Sequence, residues 1–108
     1  MAKASPAPYN GPMEAAPWSV YILEMANGAW YTGIATDVDA RYAAHARGHG
    51  ARAVRMGGGP RRLLWRQPVA GHGEALRLER AIKGLSRARK GALIRGELDW
   101  NTLLMETA

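Results

Sequence analysis

The sequence contains no cysteine, so disulfide bonds and thiolate metal sites are excluded. No apolar run approaches the roughly 18 residues that a membrane-spanning helix needs. Residues 1–17 have a single lysine and no apolar stretch of the kind found in signal peptides. We therefore expect a cytoplasmic protein of 108 residues with one folded domain, preceded by a flexible tail over residues 1–17 that is rich in proline, alanine, glycine and asparagine.

Acidic residues are absent from the middle of the chain. Between Ala40 and Gly73 there are seven arginines and no aspartate or glutamate, whereas the residues after Arg95 include three acids and no base. A GC-rich genome would account for the excess of arginine over lysine, but not for the missing acids. This asymmetry, within a net charge of +6, predicts a positive surface that contacts nucleic acid. The residues expected to make these contacts are Arg47, Arg52, Arg55, Arg61 and Lys83.

Several catalytic patterns are absent as well. The glycine-rich loop from Gly48 to Pro60 lacks the Gly-Lys-Ser/Thr ending of a P-loop. There is no cysteine nucleophile, no Ser/His/Asp order and no cluster of three or four carboxylates, so a two-metal nuclease site is disfavoured. A single inward-facing glutamate could still hold one Mg²⁺ or Mn²⁺ ion that accepts phosphate oxygens.

What is present begins with a hairpin signal. Two short runs of β-branched and aromatic residues flank Asn27-Gly28, and this dipeptide tolerates the positive φ angles of a tight turn. Because side chains alternate along a strand, the hairpin brings Tyr21 and Tyr31 onto one face. Taken alone, two tyrosines in strands are ordinary packing residues.

A helix follows the hairpin, with Thr36 as the expected N-cap and an end near Arg47. On this helix Val38, Arg41 and His45 fall on one stripe. If Val38 faces the sheet, Arg41 and His45 lie beside the tyrosines. An arginine on the apolar side of a helix needs a partner, and phosphate suits the guanidinium fork.

A second helix is predicted from Glu74 to about Lys83, and it places Glu79 inside the buried arc. A carboxylate there is costly unless it is paired or bound to a cation. The sequence leaves two explanations open: an ion pair with Lys83 or Arg41, or a metal site.

The remaining pattern predicts a third strand over residues 62–66, a helical turn over residues 51–54 and a short helix over residues 100–105. Another helix begins after Ser86, with Ala88 expected to face inward. Together these elements predict an α+β fold, in which a small three-stranded antiparallel β-sheet is flanked by α-helices.

The hairpin carries a resemblance to a known family. Val20-Tyr21-Ile22, then Tyr31-Thr32-Gly33, Thr36 and Arg41, resembles the GIY-YIG endonuclease domain, especially the small stand-alone members related to the nuclease domain of the bacterial excision-repair C subunit. The resemblance runs from about residue 18 to residue 94. We therefore expect the tail at 1–17, a GIY-YIG-like nuclease domain at 18–96 and a C-terminal extension at 97–108.

The resemblance implies a role for each residue of the expected site. Tyr21 would help to activate the attacking water, and Tyr31 would help to organise the site. Arg41 would contact the scissile phosphate, Glu79 would hold the metal ion, and His45 would lie near the attacking group. These five residues form the expected catalytic set.

The same resemblance implies a metal-dependent endonuclease that uses Mg²⁺ or Mn²⁺ on DNA, with RNA not excluded. We expect it to select structured or single-stranded substrates, to act in repair or recombination, and to have a protein partner for targeting. Ser19 replaces the glycine of the first motif, Ile34 stands where some members have lysine, and no asparagine follows Glu79 at the spacing of larger members. These departures leave two alternatives: a nucleic-acid-binding protein with a weak or vestigial nuclease site, and a module whose basic face meets an acidic protein.

Overall fold

The computed structural model describes residues 17–106 of the chain, so the predicted tail lies almost wholly outside the described residues. The fold is α+β, as predicted. Its elements in chain order are β1 (Ser19–Met25), β2 (Trp30–Ala35), α1 (Val38–Ala46), α2 (Arg52–Met56), β3 (Pro60–Pro68), α3 (His72–Lys83), α4 (Arg87–Ile94) and α5 (Trp100–Glu106). No helix within residues 17–106 has both the length and the apolar character needed to cross a bilayer.

The three strands form one antiparallel sheet in the order β2-β1-β3, with β1 in the centre. The Asn-Gly prediction is confirmed, because the turn between β1 and β2 contains Gly28 at a φ of 89°. The Asn27 side chain accepts a hydrogen bond from the backbone N–H of Ala29 at 3.0 Å. Because β1 lies between β2 and β3, strand β2 is at an edge of the sheet and pairs with another strand on one side only.

Alternation along β1 divides the interior into two apolar clusters. Val20 and Ile22 pack with the buried residues of α3, α4 and α5 on one face of the sheet. Tyr21 and Leu23 pack with those of α1 and α2 on the other face. The period of two that the sequence predicted for β1 is confirmed, and it places Tyr21 against the helix that carries Arg41 and His45.

The prediction of Thr36 as the cap of α1 is wrong by one residue. Helix α1 begins at Val38, and Oδ1 of Asp37 accepts a hydrogen bond from the N–H of Ala40 at 3.0 Å. Threonine and aspartate are both good caps, but β2 continues to Ala35, and the turn into the helix uses the next two residues.

Helix α4 begins where the sequence predicted, with Oγ of Ser86 accepting from the N–H of Arg89 at 3.2 Å. The prediction that Ala88 faces inward is wrong, because this residue is exposed and Gly91 and Leu93 are buried instead. A Cβ at Gly91 would lie 3.9 Å from the Trp30 ring, so the glycine is the position at which the helix approaches the sheet.

The segment expected as an extension, residues 97–108, contains α5. Leu103 and Leu104 of this helix are buried in the same cluster as Leu78 of α3. Burying a leucine side chain stabilises a fold by about 1.5–3 kcal/mol. The described part of the extension therefore contributes to the core of the domain.

Candidate active site

Tyr21 lies at the centre of the expected site. Its side chain is 1% exposed, and its Oη atom lies 2.9 Å from Nε2 of His45 on α1. His45 is itself 2% exposed. A buried tyrosine hydroxyl needs a hydrogen-bond partner, and here the partner is another titratable group.

Gly33 makes room for the two phenol rings. This residue is the cross-strand partner of Tyr21, and a Cβ at Gly33 would lie 2.6 Å from the Tyr21 Oη and 2.9 Å from Cε2 of Tyr31. The ring centroids of the two tyrosines are 6.3 Å apart. The predicted juxtaposition of Tyr21 and Tyr31 is confirmed, and it depends on a residue without a side chain between them.

The hydrogen bonds around His45 determine its tautomer. The backbone N–H of Ala51 donates to Nδ1 of His45 at 3.3 Å, so in the neutral ring the proton lies on Nε2. Burial lowers the pKa of His45, and the positive charge of Arg41 lowers it further. Neutral His45 therefore donates its Nε2–H to the oxygen of Tyr21. The hydroxyl proton of Tyr21 does not take part in this hydrogen bond.

Gly50 is what permits this arrangement. A Cβ at Gly50 would overlap Nδ1 of His45 and would lie 2.6 Å from its Cε1 atom. The loop after α1 can thus close over the imidazole and bring the Ala51 amide to it only because residue 50 is glycine.

Burial, together with the charges of Tyr31 and Glu79, raises the pKa of Tyr21 to about 12. Hydrogen bonding and positive charge from Arg41 act in the opposite direction. Arg41 is exposed on α1, and its positive charge acts on the buried phenol. The Tyr21 oxygen thus has His45 within hydrogen-bond distance and is influenced by the charge of Arg41, and both favour its ionised form.

Glu79 lies on α3, which packs on the opposite face of the sheet from α1. Its side chain is 19% exposed and forms an ion pair with Nζ of Lys83 at 3.2 Å, the ordinary explanation that the sequence left open. Its charge also acts on Tyr21. The structure therefore brings Tyr21, Tyr31 and His45 together, whereas the influence of Glu79 on this group is electrostatic.

The expected site offers one carboxylate, that of Glu79, to a divalent ion. Within residues 17–106 no three His, Asp or Glu side chains cluster as a metal cage would require. A single carboxylate suits Mg²⁺, which keeps several waters and is completed by phosphate oxygens of a substrate. Glu79 is the residue that would hold such an ion.

The structure does not bring the five expected nucleic-acid contacts together. Arg47 and Arg55 line a cavity of about 370 Å³ that includes Gly58, Gly59 and His45. The other three lie elsewhere. Arg52 is exposed on α2, Arg61 donates to the Ala26 carbonyl at 2.7 Å, and Lys83 is paired with Glu79.

Known proteins match this chain closely. The sequence model of the GIY-YIG catalytic domain matches residues 17–92. The chain belongs to the GIY-YIG family. A UPF0213 protein of Vibrio cholerae is 52% identical over 81 residues, which cover 74% of this chain and 79% of the relative. A UPF0213 protein of Halalkalibacterium halodurans is 48% identical over 75 residues, covering 69% of this chain and 79% of that protein.

A solved structure is similar too. The solution NMR structure of a UPF0213 protein from Bacillus halodurans has 46% sequence identity, covers 72% of this chain and 82% of its own, and superposes with a TM-score of 0.47. The names of these relatives state no activity. Membership of the GIY-YIG family supports a nuclease-type function on a nucleic acid, and GIY-YIG nucleases generally use divalent metal ions.

Two positions of the site were not predicted from the sequence. The Ala51 amide and Gly50 fix the ring of His45, yet neither carries a side chain whose chemistry would mark it. The one available signal was the Gly-x-Gly spacing just after the helix that carries His45, which indicates a chain that approaches another group closely.

Proposed function

We propose that this GIY-YIG protein is a metal-dependent endonuclease that hydrolyses phosphodiester bonds in DNA, in repair or recombination within the cytoplasm. The observation that supports the proposal is the buried hydrogen bond between Tyr21 and His45, with the charges of Arg41 and Glu79 both acting on the phenol. Phosphate hydrolysis requires a base, positive charge beside the phosphate and a fixed orientation of these groups. We assign the base to the phenol and the positive charge to the arginine and to a cation held by the carboxylate. The imidazole orients the phenol.

In the proposed reaction the guanidinium of Arg41 binds the scissile phosphate through two parallel hydrogen bonds. The ionised Oη of Tyr21 removes a proton from the attacking water, with the Nε2–H of His45 donating to that oxygen. The water oxygen then bonds to phosphorus as the bond to the leaving nucleotide oxygen breaks. A divalent ion held by Glu79 would neutralise charge that develops on the phosphate.

Because burial raises the pKa of Tyr21 to about 12, a small fraction of the phenol is ionised at neutral pH. The positive charge of Arg41 and the cation held by Glu79 both act to increase that fraction. Tyr31 holds the ring of Tyr21 over Gly33. In this proposal, phosphate binding is assigned to Arg41 on α1 and metal binding to Glu79 on α3, so the two roles belong to different helices.

The basic residues determine how the bound DNA strand lies across the site. We propose that Arg47 and Arg55, which line one cavity with His45, bind a phosphate neighbouring the scissile one. We propose that Arg52, Arg61 and Lys83 make weaker, outer contacts. A site of this size favours selection of DNA structure or single strands over a long sequence.

The test is cleavage of labelled single-stranded, duplex and branched DNA with Mg²⁺ or Mn²⁺, comparing wild type with Glu79→Gln. The exposed Glu106→Gln variant is the matched control for loss of a carboxylate. We expect metal-dependent products from wild type and Glu106→Gln, and none from Glu79→Gln, with DNA binding retained by all three. Equal cleavage by wild type and Glu79→Gln would contradict the proposed metal site.

A second candidate function is nucleic-acid binding with a vestigial nuclease site. It is favoured by the burial of Tyr21, which is 1% exposed, and by Ile34 in place of a lysine. Salt-sensitive binding without cleavage by wild type, with either metal ion and every DNA form, would support this alternative over the endonuclease.

A further inference from the structure

A second cavity, of about 410 Å³, opens beside Arg41 and lies apart from the one lined by Arg47 and Arg55. It is bounded by Trp18 just before β1, by Ile34 at the end of the edge strand β2, and by Ala40 on α1. Its volume is within the roughly 300–1,000 Å³ typical of small-ligand sites.

We propose that this cavity is a nucleobase subsite, which receives one unpaired base next to the phosphate that Arg41 holds. The inference rests on the proposed function and deepens it, because it assigns the recognition of single-stranded or flipped nucleotides to a particular part of the fold. The subsite is defined by Trp18, Ile34, Thr36, Asp37 and Ala40.

The chemistry of the walls matches the two kinds of surface that a base presents. Trp18 and Ile34 offer apolar surface to the flat faces of a base. Thr36 and Asp37 place a hydroxyl and a carboxylate in the same cavity. Asp37 uses Oδ1 to cap α1, and its second oxygen can accept from an exocyclic amino group of adenine, cytosine or guanine.

The Trp18 side chain already packs within the domain. The Trp18 and His72 rings have their centroids 4.4 Å apart, and Trp18 also packs against the apolar cluster that contains Val20. Because the ring is already packed, it loses little conformational entropy when a ligand contacts it, which favours binding.

Charge determines which end of a nucleotide enters. The carboxylate of Asp37 repels a phosphate, whereas the guanidinium of Arg41, which also lines the cavity, attracts one. A nucleotide can satisfy both only with its base inside and its phosphate on Arg41. A base within a duplex is stacked and paired, so it reaches this cavity only after it has left the helix.

Two alanines on α1 provide a matched test. Ala40 lines the cavity and is exposed, so Ala40→Leu fills the cavity without removing a core side chain. Ala43 is exposed on the same helix but does not line the cavity, so Ala43→Leu is the control. Leucine has a high helix propensity, and both variants should fold.

The probe is a short labelled single-stranded DNA in which an abasic residue is moved position by position, with binding measured by fluorescence anisotropy in EDTA. For wild type and Ala43→Leu we expect one position at which loss of the base weakens binding by between about 5-fold and 100-fold. Ala40→Leu should bind the intact DNA as weakly as wild type binds that abasic DNA, and should show no sensitive position. Trp18→Phe should retain the sensitivity that Trp18→Ala loses.

Equal binding of every abasic DNA by wild type, or the same profile for Ala40→Leu and Ala43→Leu, would overturn the subsite. Neither result would touch the proposed nuclease function, which depends on cleavage and on Glu79. A position-specific abasic effect without any cleavage would support the subsite and count against the endonuclease. The absence of any DNA binding would overturn both.

Discussion

The Oη atom of Tyr21 and the Nε2 atom of His45 lie 2.9 Å apart, with the imidazole as the donor. The direction follows from the Ala51 amide, which occupies Nδ1 and leaves the only ring proton on Nε2. The hydroxyl proton of Tyr21 is therefore free of His45, and it is the proton that must be lost before this oxygen can act as a base.

Tyr21→Phe should lower DNA cleavage by about 10²–10⁴-fold, the usual contribution of a positioned acid or base. The ring still fills the space above Gly33, but the Nε2–H of His45 loses its acceptor at a cost of about 1–3 kcal/mol. Single-turnover cleavage and urea unfolding would separate the two effects. Tyr42→Phe, at a half-buried residue of the same cluster, is the control and should cleave normally.

The stability of the protein should fall as the pH drops below about 6.5, the ordinary pKa of histidine in an unfolded chain. Burial lowers the pKa of His45 in the folded state, so at mildly acidic pH the unfolded chain binds the proton more tightly and unfolding is favoured. The groups that face His45 are Tyr21, Tyr31 and Arg41, and none of them adds a negative charge at this pH.

Urea unfolding between pH 5.5 and 7.5 would check this pH dependence. His45→Gln should flatten it, whereas His49→Gln, at an exposed residue of the loop that follows α1, should behave as wild type. An unchanged pH dependence in His45→Gln would contradict the assignment.

Gly50→Ala should destabilise the fold by about 1–3 kcal/mol, because the added methyl group overlaps the ring of His45. The substitution should also reduce cleavage, since the imidazole must move off the Ala51 amide and off Tyr21. Gly73→Ala is the control, because a Cβ there meets nothing within 4 Å and alanine is the better helix former. Thermal unfolding of both variants would decide the matter, and equal stability would contradict the proposed contact.

Arg55→Ala should reduce the salt dependence of DNA binding, lowering the slope of log affinity against log salt by about 0.7–0.9. Arg55 borders the cavity beside His45, where no acidic residue lies among the lining residues of the described chain. Arg62→Ala should leave the slope unchanged, because Nε of Arg62 already donates to Glu24 at 2.8 Å. Equal slopes for the two variants would remove Arg55 from the DNA contact surface.

The sequence predicted what depends on local periodicity. Tyr21 and Tyr31 share a face because strand side chains alternate, and Arg41 and His45 lie on one stripe because helical positions four apart coincide. For α3 the sequence predicted less, because the cost of burying Glu79 suggested that it had a partner without saying which, and the structure gives it Lys83. The resemblance to a family, and not the pattern alone, joined the five residues.

The parts that could not be predicted depend on packing between distant segments. Ala88 is apolar, but the approach of Gly91 to Trp30 turns another side of that helix to the core. In the sequence Gly50 is typical of a loop, and its contact with the imidazole of His45 becomes visible only in the folded structure. The cavity at Trp18 likewise exists only once the chain before β1 has been brought beside α1.

Helix α1 has a consequence for the evolution and engineering of this protein. Arg41 at one turn borders the cavity with Trp18, and His45 at the next borders the cavity with Arg55. Four helical residues span about 6 Å, and each residue turns the helix by about 100°. Removing or inserting one residue between them would swing one of the two groups away from the Tyr21 oxygen. Exposed positions of α1 other than Ala40 and Arg41 are therefore open to substitution, while the length of the segment between Arg41 and His45 is not open to change.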